Sequence, residues 1–148
     1  MIKALLSKGL LAVLAASVVT VATTSGQMSK QDLPTVATAA VPFYPRPART
    51  AHIQGAVRLR ISTDGERVSG VVAEAGPPML IPAAEENVKT WLFEKHDPVT
   101  FDVTFRYKML PGSQCAIDNG VVVLHLPTEV EVSAKGIETC DPVSSHLK

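Results

Sequence analysis

Neither sign of charge dominates this 148-residue chain: 14 basic residues balance 14 acidic ones, and no block of lysine and arginine interleaved with aromatics occurs. A nucleic-acid partner leaves such a basic footprint, so none is expected. Aromatics are scarce, with a single tryptophan, and the only cysteines are Cys115 and Cys140. A structural zinc site takes about four Cys or His ligands. The four histidines, His52, His96, His125 and His146, are scattered without ligand spacing, so neither a metal nor a cofactor is expected. G-x-S-x-G, HExxH, Walker A and C-x-x-C patterns are also missing. Glu85 and Glu86 are successive helical positions that diverge by about 100°, which is not an acid/base dyad. Ser113 beside Gly112 reads as a loop residue. The chain is therefore read as non-enzymatic and without a small-molecule substrate. Ser113 and His125 are the side chains that an unrecognised hydrolase would have to use.

A long uncharged run is lacking too. "GLLAVLAASVVTVA", residues 9–22, is 14 residues long, whereas a membrane-spanning helix needs about 20. With Lys3 and Lys8 ahead of it and the small residues of "VATTSGQ" behind it, the segment reads as an export signal cut near Gly26. A short anchor is the other reading, if the run is counted from Ala4 and left uncut. Loss of Lys3 and Lys8 leaves 12 basic against 14 acidic residues.

What is present suits one modest domain, with 46% hydrophobic residues. The leader, residues 27–41, and the segment up to Pro47 mix small residues with Pro34, Pro42, Pro45 and Pro47, and are expected to be extended and mobile until something docks them. From Gly55, Val57, Leu59 and Ile61 alternate with Arg58, Arg60 and Ser62, the pattern of a half-buried strand. Asp64-Gly65 suits a tight hairpin turn with positive φ at both positions, returning through Val68, Val71 and Val72. Ala84, Val88, Trp91 and Leu92 share one face of a helix expected over 82–93, with Pro82 in its first turn and Glu85 and Glu86 near its positive end. Val99, Phe101, Val103, Phe105 and Tyr107 then alternate with polar residues, the clearest strand in the chain.

"LPGSQCAIDNG" reads as a loop, and "VVVLHLPTEVEVSA" as a second hairpin turning at Pro127-Thr128. Symmetry about that turn pairs Val121 with Ala134, Val123 with Val132 and His125 with Val130. Extended outward, it sets Cys115 opposite Cys140, at a separation that a disulfide tolerates. Such a bond closes a loop of about 25 residues and contributes roughly 3 kcal/mol on the chain-entropy model.

"YPRPA" at 44–48, "GAVRLRISTDGERVSGV" at 55–71, "AAEENVKTWLFE" at 83–94 and the aromatic-rich strand that follows resemble the C-terminal domain of the TonB energy transducer. The resemblance covers residues 42–108, with 111–148 as a hairpin extension and tail. It implies an α+β fold of two layers, in which a helix backs an antiparallel sheet. It also implies a periplasmic location, inner-membrane anchored if the signal is uncut. The partner would be an outer-membrane receptor or another envelope protein, captured as an extended segment added to an exposed sheet edge. Carried over, the partner-binding residues are Phe101, Val103, Phe105 and Tyr107 along the edge, with Tyr44 and Pro45 near the same groove. A homodimer by strand exchange is a further expected partner.

Two features depart from the family. Val41 stands where the family often has glutamine, and only about 20 residues separate the export signal from Tyr44, too few for a spacer that crosses the periplasm. The alternative is thus a structural envelope module with the same fold, its edge capped by the second hairpin. For either reading, alkylation of the unreduced protein, before and after denaturation, should label no thiol; two labelled thiols would refute the bridge.

Overall fold

The computed structural model describes residues 33–115 and 120–138. The export signal, the first part of the leader, Cys140 and His146 lie outside the described residues. The described chain is mixed α+β, with two helices and two sheets. None of its helices is long and apolar enough to cross a membrane.

The leader is docked rather than loose from Leu33 onward. Strand β1 (Val36–Thr38) pairs antiparallel with β4 (Leu92–Phe93) to form a small second sheet. Helix α1 (Arg46–Thr50) follows at once, a turn that the proline-rich reading of "YPRPA" did not anticipate. Pro47 stands in its first turn, where a missing N–H costs nothing.

Strand β2 (Gly55–Thr63) buries Val57, Leu59 and Ile61 and exposes Arg58 and Arg60, as its alternation predicts. It pairs antiparallel with β3 (Val68–Ala75). The turn between them is not the two-residue form expected. Only Gly65 has positive φ, at 111°, and Asp64 instead accepts the N–H groups of Glu66 and Arg67 at 3.0 and 2.8 Å. The carboxylate thus supplies the acceptor that a tight turn would have supplied from the backbone.

Helix α2 (Ile81–Val88) is shorter than the 82–93 expected, and Glu85 and Glu86 fall outside its first turn. Trp91 follows the helix, its N–H bonded to Val88 O at 3.0 Å, and is still fully buried. Leu92 departs from the shared face and is 36% exposed, because the chain has turned into β4. Asn87 explains the early stop. It accepts the Trp91 Nε1–H at 3.1 Å and donates to Ala40 O at 2.8 Å, so one buried side chain joins helix, tryptophan and leader.

Strand β5 (Thr100–Gln114) extends into the first part of the stretch read as a loop, as far as Gln114. Its irregularity falls between Leu110 and Ser113, where Pro111 lacks an N–H and Gly112 has φ of 81°. Strands β6 (Val121–His125) and β7 (Glu129–Ile137) form the second hairpin. Its register is one residue away from the expected one: Val123 faces Glu131, Val122 faces Val132 and Leu124 faces Val130. Three residues turn the corner instead of two, with a cis Leu126–Pro127 bond and Thr128 N–H donating to His125 O at 3.2 Å.

The main sheet runs β3-β2-β5-β7-β6. Tyr44, Leu80, Trp91 and Phe93 close over one face, on which Leu59, Phe105 and Val132 are buried in the same core. The opposite face carries ion pairs, Arg60 with Glu74 and Asp102, Arg106 with Glu129, and Lys108 with Glu131.

Replacing Asn87 with alanine leaves the buried indole N–H without its acceptor, and should cost about 2 kcal/mol in denaturant unfolding followed by Trp91 fluorescence. A loss below about 0.5 kcal/mol would remove Asn87 from this role.

Candidate functional site: a sheet margin and a tyrosine pair

Main-chain direction along β5 decides whether it can accept an added strand. It pairs antiparallel with β2 over Thr100–Tyr107 and parallel with β7 from Thr104 onward. The Thr104 N–H donates to Thr128 O at 2.9 Å, and Thr104 lies opposite Glu129. In this part of the strand, even residues therefore turn their N–H and C=O groups toward β7 and odd residues turn theirs toward β2. β5 is an interior strand, and the open edge expected along 101–107 is closed from Thr104 onward by the chain's own β7.

The side chains of this strand lie in the core, so only its backbone could serve a partner. Phe101, Val103, Phe105 and Tyr107 are all buried. Tyr44 does lie beside the strand, its ring edge-on to Tyr107 with centroids 5.2 Å apart, but it too is buried. Its hydroxyl donates to Ile53 O at 2.6 Å and pins the start of the fold. Pro45 caps α1. The Tyr107 hydroxyl is buried with no hydrogen-bond partner. Burial, with a smaller push from Tyr44, holds its pKa far above the usual tyrosine value. Burial also raises that of Tyr44, against an opposing pull from Arg49.

Cys115 follows the end of β5, not a strand of the β6–β7 hairpin. The chain leaves β7 beside that end, where Glu138 N–H donates to Gln114 O at 3.3 Å. Cys140 lies outside the described residues. Ser113 and His125 are not brought together: His125 faces Glu129, which faces Thr104, nine residues along β5 from Ser113. At about 3.3 Å per residue, roughly 25–30 Å separates them.

A recess formed by Asp64, Gly65, Glu66, Arg67, Lys95 and His96 joins the β2–β3 turn to the segment before β5. The two backbone hydrogen bonds to Asp64 hold its carboxyl below the usual range and commit it to the turn. Among the described residues no group of three or more His, Cys, Asp or Glu could hold a metal ion.

Two residues outside the expected set hold this region together. Arg49, buried in α1, donates from Nε to Lys135 O on β7 at 2.9 Å; Asn87 is the other. Charge and polarity mark such residues as surface by default, so no sequence pattern points to them. Among the described strands, the outer margins of the main sheet are β3 at one end and β6 at the other. No protein-family model matches the chain, and no curated protein matches its sequence.

The tyrosine pair gives two near-isosteric substitutions with opposite expected signs. Tyr44→Phe should lose about 1 kcal/mol with its hydrogen bond, whereas Tyr107→Phe should be neutral or stabilising by up to about 1 kcal/mol. The unfolded tyrosines ionise near pH 10, while the raised native values keep them neutral. Their contribution is therefore complete below about pH 10 and lost as the pH rises above it. The double Phe variant should flatten that alkaline limb in denaturation midpoints, and an unchanged slope would refute the assignment.

Proposed function

We propose that this chain is an exported, non-catalytic envelope module of TonB-like architecture, in which the strand-addition site along β5 is filled from within by β7. The observation that carries this reading is the parallel β5–β7 pairing, which runs from Thr104 to Gln114. The order hairpin, helix, strand supports the architecture, as does the cover of Leu80, Trp91 and Phe93 over the sheet. The signal-like N-terminus supports export to the periplasm. In this reading the protein works as a structural module with a capped edge, and a Cys115–Cys140 bridge would fasten the ends of β5 and β7.

A second reading, capture of an extended receptor segment in transport across the outer membrane, is favoured by one stretch. β7 begins opposite Thr104, so the same side of Thr100–Val103 is paired with no described strand, and Asp102 turns its main-chain groups there. Hydrogen exchange separates the two readings. A capped module protects the Arg106 and Lys108 amides, which face β7, to within about tenfold of Phe105 and Tyr107, which face β2. Exchange of the first pair more than about a hundredfold faster, or perturbation of 104–107 by extended receptor peptides at about 1 mM, would overturn the capped reading.

A further inference from the structure

The two outer margins of the main sheet are built differently. Exposed edges are normally kept apart by charge, proline or bulges. β3 has two register irregularities against β2 and carries Ser69, Gly70 and Glu74. β6 has none of these: it pairs with β7 without a register break, and its sequence is VVVLH. Val121 is 57% exposed, Val123 40% and Leu124 43%. Val122 and Leu124 lie on the core side, opposite Val132 and Val130, while Val121, Val123 and His125 lie on the other side. Neither face of this strand carries a lysine, arginine or carboxylate of its own.

The hydrogen-bond parity fixes which backbone groups are open. The Thr104–Thr128 bond turns the even residues of β7 toward β5, so Glu129, Glu131 and Ser133 turn theirs toward His125, Val123 and Val121. The main-chain groups of Val122 and Leu124 therefore point out of the sheet, where no described strand pairs with them.

We propose that this margin is the interface between two copies of the chain, with β6 running antiparallel to β6 of a second copy about a two-fold axis at Val123. The strand is self-complementary about that residue. Val122 meets Leu124 of the second copy, and the reverse, forming hydrogen-bonded pairs with about four main-chain bonds in all. The same register sets valine against valine at the axis and Val121 against His125, with no lysine, arginine or carboxylate on the seam. A slip by one residue would turn the core-side row against the solvent-side row. An isologous contact of this kind closes on itself and leaves no further copy to recruit at that edge. Five residues a side bury less than the roughly 1,200 Å² typical of stable complexes, so the dimer is weak and concentration-dependent.

Sedimentation equilibrium from about 10 µM to 1 mM, with amide exchange read in parallel, tests this. A monomer–dimer equilibrium is expected, with the Val122 and Leu124 amides gaining protection as the dimer forms. Val123→Lys sets two ammonium groups against each other at the axis and should weaken dimerisation at least tenfold. Val123→Thr keeps the branched shape and should retain it, and circular dichroism checks that both variants stay folded. A monomer at about 1 mM overturns the proposal, as does a dimer in which these two amides stay open. Perturbation of Val122 and Leu124 in a monomer by an unrelated extended peptide also overturns it, and assigns the margin to a foreign strand. These readouts lie on β6 and those of the capped-module reading on β5, so the two fail separately.

Discussion

Over Thr104–Tyr107 both sides of β5 are occupied, and most of the structure follows from that constraint. An antiparallel neighbour on one side and a parallel neighbour on the other place its side chains in the middle of the sheet, where Phe105 and Val103 are fully buried. A parallel pair cannot be closed by a hairpin turn. The chain therefore passes over one strand position after β5, returns as β6, and inserts β7 between them. The second hairpin is thereby part of the same sheet and core, with Val130, Val132 and Ala134 buried alongside the first-hairpin valines and leucines. α1 reinforces this from the other layer through the buried Arg49 and its bond to the β7 backbone.

The two faces of the sheet contribute unequally. On the covered face, Trp91 lies against Phe93 and Phe105, and Tyr44 against Tyr107, so few aromatics do most of the filling. On the open face, the cross-strand ion pairs involve side chains that are largely in water, and such pairs are worth little each. Lys108 hydrogen-bonded to Glu131 keeps that carboxyl below its usual range, and Asp102 keeps the Arg60 guanidinium above its own. Their contribution is to strand order and register: Arg106 with Glu129 and Lys108 with Glu131 join β5 to β7 at successive outward positions, where a shift by one residue would separate both pairs.

Much of the local structure was legible in the residues themselves. The alternation in β2 and the first half of β5 gave the correct buried faces, because a period of two is set by backbone geometry alone. The 3.6-residue period that predicts a helix over 82–93 continues through Trp91, whereas the chain turns after Val88 to satisfy Asn87 and β4. The sequence shows a hairpin at Pro127 but not its register, because a turn of two and a turn of three residues look alike in sequence and differ in which row faces the core. Whether the backbone edge of β5 is open is illegible for a related reason. Phe101, Val103, Phe105 and Tyr107 alternate in the same way whether their strand ends a sheet or lies inside it.

Sequence by itself determined which residues go to water and which to the interior along β2 and the first half of β5, and that the chain turns near Asp64-Gly65 and Pro127. These are properties of neighbours in the chain. Tertiary structure alone decided that β7 returns beside β5, that Tyr44 packs on Tyr107, and that β6 becomes an outer strand of the main sheet. Those outcomes depend on contacts between residues far apart in sequence. Hydrogen-bonding groups on the two sides of a strand carry no residue label, so the sequence does not say which side is taken.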